Sequence, residues 1–241
     1  PAMNPELREL WVYLSTSPLL GLTLTLLAYQ LAYAIYVKLG SHPLANPVAI
    51  AVALIVAILS FTGTPYAVYF EGAQFVHFLL GPATVALAVP LYAQWPRLKK
   101  LFGASMLALV TGSVVSVVSV WLIAEALGAS DQVLRSLAPK SVTSPIGMGI
   151  AEKIGGLPSL TAVLIMLTGI VGAVIGPALL RATGTQDDAI RGFAIGMSAH
   201  GIGTARAFQI SETAGAFSAL AMGLNGVVTS IVVPVLVHAL A

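Results

Sequence analysis

Residues Leu101–Ala124 read LFGASMLALVTGSVVSVVSVWLIA, 24 positions without an Asp, Glu, Lys or Arg, closed by Lys99 and Lys100 on one side and Glu125 on the other. A helix needs about 20 mostly apolar residues to cross a bilayer, so this stretch holds one span. Five further windows, 11–37, 39–70, 72–96, 154–180 and 213–241, are equally free of charge. Over the 241 residues, 58% are apolar and 8% charged, against roughly 25% charged in a soluble domain. The mean hydropathy is +0.95. So few charges cannot cover a surface in water, which excludes a soluble enzyme, a nucleic-acid binder and a disordered chain. The net charge of +2 is a small imbalance, so no nucleic-acid partner is expected. Without cysteine there are no disulfides and no thiolate metal sites. No His-Glu-x-x-His pattern and no nucleotide-binding Gly loop is present. We expect no catalytic residues, no metal, no cofactor and no enzyme.

Placed in these windows, six spans are expected near 16–38, 46–63, 78–95, 101–127, 158–181 and 214–239. The fold class is all-α: a polytopic integral membrane protein forming one transporter domain over 1–241. Three intervening segments, 64–77, 131–156 and 187–210, are rich in Gly, Pro, Ser and Thr and carry isolated charges. Irregular backbone at membrane depth survives only inside protein or along a watery cavity, and broken helices point to a transporter's binding site. Lys38, Arg97, Lys99, Lys100, Arg181 and Arg191 fall on one side if each span crosses once, with Glu125 and Asp131 opposite. The positive-inside rule makes the basic side cytoplasmic. Three spans precede Lys100 and three follow, so inverted repeats are expected near 10–100 and 101–240. Trp11, Tyr92 and Trp95 suit interfacial belts, His42 and His238 read as interfacial, and His77 is left open. Pro1-Ala2-Met3 reads as an added scar ahead of Asn4, and no signal peptide is evident.

Three motifs carry possible chemistry. In Leu137-Ala138-Pro139-Lys140-Ser141-Val142-Thr143-Ser144-Pro145, the two outer prolines interrupt any helix. Ser144 is expected as N-cap with Pro145 at the first helical position, so that helix N-terminus and Lys140 would together attract an anion. The plainer reading is a re-entrant loop whose Lys140 snorkels to headgroups. In Ser198-Ala199-His200-Gly201-Ile202-Gly203-Thr204-Ala205-Arg206, the two glycines are expected to break the helix and Thr204 to cap the next. Arg206 cannot lose its proton, so it needs a substrate carboxylate or a structural partner such as Glu212 or Glu71. His200 either bonds substrate, carries a proton or is a satisfied core residue. Gly81-Pro82-Ala83-Thr84 and Gly223-Leu224-Asn225-Gly226 allow close helix crossing, with Thr84 and Asn225 facing either a cavity or a neighbouring helix. Substrate-binding residues are therefore expected among Lys140, Ser141, Thr143, Ser144, His200, Thr204, Arg206, Asn225 and Thr84. Glu71 and Glu212 are coupling or structural charges. Gly196-Met197-Ser198-Ala199 with His238 as base would be needed for an intramembrane protease.

At Glu71–Phe75, Leu79–Tyr92, Pro139–Pro145, Ala199–Ala207 and Gly215–Gly226 the chain resembles the LrgB/CidB family of bacterial membrane proteins, over about residues 20–240. Gly147 and Gly149 stand where that family often has Ala. The resemblance implies two functions. One is antiholin-like modulation of murein hydrolase export and lysis. The other is transport of small monocarboxylates, because the plastidial glycolate/glycerate translocator carries a similar domain and bacterial relatives act with an LrgA-type partner in pyruvate uptake. The implied partners are a small carboxylate, the lipid bilayer, a small LrgA-type membrane protein and a second copy of the chain as a dimer. The expected main function is secondary transport of glycolate, glycerate, pyruvate or a similar acid by alternating access.

Overall fold

The computed structural model describes residues 18–40 and 45–240. Trp11, His42 and the first residues of the first expected span lie outside them, as do the side chains of His77 and Thr84. The described residues form eleven helices and no strand. They are α1 Pro18–Lys38, α2 Pro47–Thr62, α3 Tyr66–Phe78, α4 Leu80–Ala86, α5 Ala88–Ala93, α6 Trp95–Ala126, α7 Asp131–Leu137, α8 Ser144–Lys153, α9 Pro158–Ala182, α10 Asp188–Phe208 and α11 Glu212–Leu240.

Five stretches are long and apolar enough to cross a membrane: Leu19–Lys38, the run Tyr66–Ala93, Trp95–Ala126, Pro158–Ala182 and Glu212–Leu240. The protein is a multi-pass, all-α membrane protein. Two expectations need correction. The window 46–63 yields α2, whose 16 residues span roughly 24 Å at about 1.5 Å each, short of the ~30 Å hydrocarbon core. Segment 64–77, expected to be irregular, is almost wholly α3, and the interruptions fall at Leu79 and Leu87 instead. Gly72 does not break α3, since a single helical glycine costs only about 1 kcal/mol relative to Ala.

The chain divides into two compact units, Pro1–Ala86 and Leu87–Ala241. In the first, α1 packs on α2 and α3. Ala28, Ala32 and Ala51 form its core with Ile50, Leu54 and Ile55. Asn46 caps α2 by accepting from the backbone N–H groups of Val48 and Ala49 at 2.9 and 3.2 Å, and Gly63 closes it in the left-handed conformation at φ 67°.

In the second unit, long helices are apolar all round, as a bilayer requires, but their faces differ. On α9, Thr161, Ile165, Gly169, Ala173 and Pro177 are buried, while Val163, Leu167, Val171, Ile175 and Leu179 are exposed. Both sets recur every four residues, so each forms one stripe along the helix. Apart from Ile165 and Pro177 the protein-facing stripe is small or polar and the outer one is bulky, the arrangement expected where lipid, not water, covers the outside. On α11 the stripes are Ala221, Asn225, Thr229, Val233 and Val237 inside, and Val227, Ile231 and Val235 outside.

The α10–α11 pair is the most closely packed. A Cβ on Gly192 would collide with the Ala214 carbonyl, and one on Gly196 with that of Ser218, so only glycine permits this approach. Asp187 caps α10 through the N–H groups of Ala189 and Ile190 and accepts from Arg97 Nη2 at 2.6 Å, tying the start of α6 to the start of α10. Partial burial pushes the Asp187 carboxyl up, but those two N–H groups and the Arg97 guanidinium outweigh it and hold the group below the ordinary carboxylate value.

Candidate functional site

The site lies in the second unit, where two interrupted segments meet α6 and α11. The first is the α7–α8 hairpin. Arg135 holds it by bonding Asp131 at 2.6 Å and the Ile154 carbonyl at 3.0 Å. Buried Ser136 accepts from the Leu157 N–H at 2.8 Å, and its carbonyl accepts from Thr161 at 3.0 Å. The turn between the two short helices therefore sits inside protein with its polar backbone engaged, and it carries Lys140 and Ser141. Helix α8 starts at Ser144 with Thr143 as N-cap and no side-chain cap bond, so the expected capping is one residue off.

The second interruption is in α10. The break falls at His200 (φ 41°, ψ −133°), not at Gly201 or Gly203. A left-handed, non-glycine residue stores strain and persists only when its surroundings hold it. Here they do. His200 Nε2 lies 2.8 Å from the Ile165 carbonyl, an acceptor only, so Nε2 carries the proton and donates. Gly169 gives the ring its space, since a Cβ there would meet the ring at 2.6–2.8 Å. Gly203 instead allows a close return past Ala199 and Ile195. Thr204, expected to cap a new helix, donates back to the His200 carbonyl at 2.8 Å and shares a hydrogen bond with Ser218 at 2.9 Å.

Asn225, 1% exposed near the middle of α11, joins the two interruptions. Its Nδ2 donates to the Ser141 carbonyl at 3.1 Å and to the Met197 carbonyl at 3.0 Å. The Met197 carbonyl lies three residues before the break at His200. Asn225 Oδ1 accepts from Thr229 at 3.2 Å, whose hydroxyl lies 3.3 Å from that of Ser113 on α6.

Beside this amide is a cavity of about 80 Å³, room for a few waters. Its polar lining is Ser113, Ser116, Ser141, Ser198, Asn225 and Thr229, with Gly112, Val117, Ala138 and Met197 completing the wall. Lys140 is half-buried behind it. Its Nζ donates to Ser116 Oγ at 3.0 Å and to Ser141 Oγ at 3.3 Å, and those two hydroxyls are 3.0 Å apart. The arrangement sets the Lys140 nitrogen behind several hydroxyls, with no carboxylate among the lining residues.

Of the expected residues, Lys140, Ser141 and Asn225 come together. His200 and Thr204 are buried among α9, α10 and α11, away from the lining. Thr143 and Ser144 begin α8 without reaching the cavity. Arg206 lies at the end of α10, with Nη1 donating to Gln209 at 2.7 Å. Glu212 is exposed in the first turn of α11, where a carboxylate suits the helix dipole. Glu71 and Thr84 belong to the first unit, and Glu71 is exposed there. Ser113, Ser116 and Thr229 were missed. Spacing held a clue, because Thr229 follows Asn225 by four residues and the two serines are three apart, which puts each pair on one helical face. Ser198 is bonded to the Ala194 carbonyl at 2.7 Å. Asn225 touches Met197, and His238 lies 13 residues further along α11, roughly 20 Å away at about 1.5 Å per residue. That separation removes the protease pairing.

A model of the LrgB-like family matches residues 25–239. The uncharacterized protein YwbG of Bacillus subtilis is 37% identical over 218 residues, covering 90% of this chain and 96% of its own length. The holin-like protein CidB of Staphylococcus epidermidis is 32% identical over 90% of this chain and 95% of its own. The antiholin-like protein LrgB of B. subtilis is 31% identical over 92% and 96%. No solved structure matches.

Proposed function

This chain belongs to the LrgB-like family, and we propose that it is a secondary transporter of small monocarboxylates such as glycolate, glycerate or pyruvate, working by alternating access. The observation that supports this is the cavity between two interrupted segments, ringed by hydroxyls and backed by the Lys140 side-chain nitrogen. A carboxylate entering it would take its charge partner from Lys140 and further hydrogen bonds from Ser116, Ser141 and Thr229. Movement of the interrupted segments around the site would alternate its access. A small LrgA-type membrane protein and a second copy of the chain are the partners we propose with it.

A second reading has its own support. Relatives are called holin-like and antiholin-like, and those names favour a regulatory protein of murein hydrolase export and lysis more directly than they favour transport. The two readings separate experimentally. Counterflow of labelled glycolate or pyruvate into proteoliposomes holding the purified protein is expected above protein-free vesicles, and lower in Lys140→Ala. No flux in the wild type, with murein hydrolase release altered in cells lacking the protein, would leave the regulatory reading standing alone.

A further inference from the structure

Among the described residues Lys140 has hydroxyl partners and no acidic one. The ion pairs among the described residues are Arg97–Asp187, Arg135–Asp131 and Arg191–Asp188. The titratable groups on the elements around the cavity sit toward their ends. On α6 these are Arg97, Lys99, Lys100 and Glu125, with Glu125 nine residues beyond Ser116, roughly 13 Å along the helix. On α11, Glu212 and His238 are each 13 residues from Asn225, roughly 20 Å. On the short helices they are Asp131 and Arg135 of α7 and Glu152 and Lys153 of α8, and on α9 Arg181 at the last turn. On α10 they are Asp188 and Arg191 at the start, Arg206 at the end, and His200, whose ring is bonded to the Ile165 carbonyl.

An ammonium drawn partly out of water with no counter-charge beside it is disfavoured, whereas a neutral amine among hydroxyls is readily satisfied. Adding an anion reverses the balance, since the charged pair then forms inside the cavity. Anion and proton therefore stabilise each other's binding, by the reciprocity that linkage demands.

Resting on the transport reading above, we propose that Lys140 is the proton carrier of an electroneutral symport, one proton with one monocarboxylate. The amine, the proton and the anion combine: Lys–NH2 plus H⁺ plus R–COO⁻ gives Lys–NH3⁺ paired with R–COO⁻. One N–H bond forms from a proton taken from water on the entry side. It breaks to water on the exit side as the anion leaves. Loaded and empty forms carry the same net charge at the site, zero, so the membrane potential does no work on the cycle. Ser116 and Ser141 position the amine between turnovers.

The test uses the whole protein in proteoliposomes with labelled glycolate, protein-free vesicles setting the background for passive entry of the free acid. Counterflow at equal pH reads transport alone. An inward proton gradient of about one pH unit should drive accumulation toward about tenfold above the equal-pH level, the ratio equivalent to ~1.4 kcal/mol. A potassium diffusion potential should add nothing. Lys140→Arg carries a guanidinium that does not shed its proton. It should keep a reduced counterflow while losing the gradient-driven accumulation. A second measurement needs no variant: adding glycolate to purified protein in weak buffer should take up one proton per anion bound. Counterflow in the wild type with gradient-driven accumulation at background overturns the symport and leaves transport intact. So does a Lys140→Arg variant that accumulates like the wild type, or binding without proton uptake. Absence of wild-type counterflow overturns the transport reading and the symport with it.

Discussion

The two units solve the same burial problem differently. In the first, helices meet through alanines and a glycine: Ala28, Ala32 and Ala51 are the buried core, and Gly21 lets α1 approach the α3 backbone at Tyr69. A polar link between its helices is the half-buried bond of 2.8 Å between Thr25 and Tyr69. In the second, polar groups go inside. Among the described residues ten polar or charged ones are buried; Asn46 alone of these belongs to the first unit, and the other nine include Ser113, His200, Thr204, Ser218, Asn225 and Thr229. Each of those six has a partner at hydrogen-bond distance. A buried polar group costs free energy unless paired, so packing alone does not explain nine of them. The second unit carries a network that an apolar core would do without, and that is where the α7–α8 turn, the break in α10 and the cavity lie.

The sharpest way to break this comparison is Asn225→Leu. It strands the Ser141 and Met197 carbonyls, and at about 1–3 kcal/mol per unsatisfied group the loss should be on the order of 2–4 kcal/mol. Thermal unfolding in detergent reads it, and a midpoint unchanged from wild type would show that the amide is not holding the two segments together. Next is Gly196→Ala, where the new methyl meets the Ser218 backbone and overpacking should cost about 1–3 kcal/mol. Gly223→Ala on the same helix pair is its control. A Cβ there meets nothing within 4 Å, so it should stabilise by about 0.5–1 kcal/mol through helix propensity. Equal effects at the two glycines would contradict the close α10–α11 approach.

Thr25→Val tests the first unit. It removes the bond to the Tyr69 hydroxyl and the back-bond to the Gly21 carbonyl, which at about 0.5–1.5 kcal/mol each should cost roughly 1–3 kcal/mol, less than Asn225→Leu by the same assay. A larger loss would mean that the first unit depends on polar links after all. The smallest effect belongs to Arg97–Asp187, whose side chains are 41% and 39% exposed, so the pair is worth under about 1 kcal/mol. The folded carboxyl is held below its ordinary value. Its contribution is therefore present above the ordinary carboxylate range and is lost as pH falls through the depressed folded value. Asp187→Asn should lower the unfolding midpoint at neutral pH and converge with wild type in acid. A gap that persists in acid would place the effect in the helix cap and not in the charge.

Much of the architecture was legible along the chain. The charge-free windows around α1, α6, α9 and α11 matched spans because lipid leaves charge nowhere to go. Pro139 and Pro145 marked the α7–α8 turn because proline cannot continue a helix. The break in α10 was expected at Gly201 and Gly203, and it fell on His200, where Gly169 on α9 makes room for a ring that bonds Ile165. Nothing in residues 198–206 alone reports what α9 offers opposite them. Ser116 was illegible for a related reason. A serine in a span satisfies its hydroxyl on its own helix as easily as across an interface, so sequence does not tell a spare hydroxyl from a partner of Lys140.

Composition and charge position by themselves determined that this chain is a membrane-embedded helical protein with interrupted segments, because the bilayer enforces backbone pairing and excludes charge wherever helices cross it. Only the tertiary structure decided which polar residues share a site. Lys140, Ser116 and Asn225 come from three separate segments. Whether each is spent on its own helix or brought to one cavity depends on how closely the glycine-bearing helices approach, and that distance is set by every side chain between them.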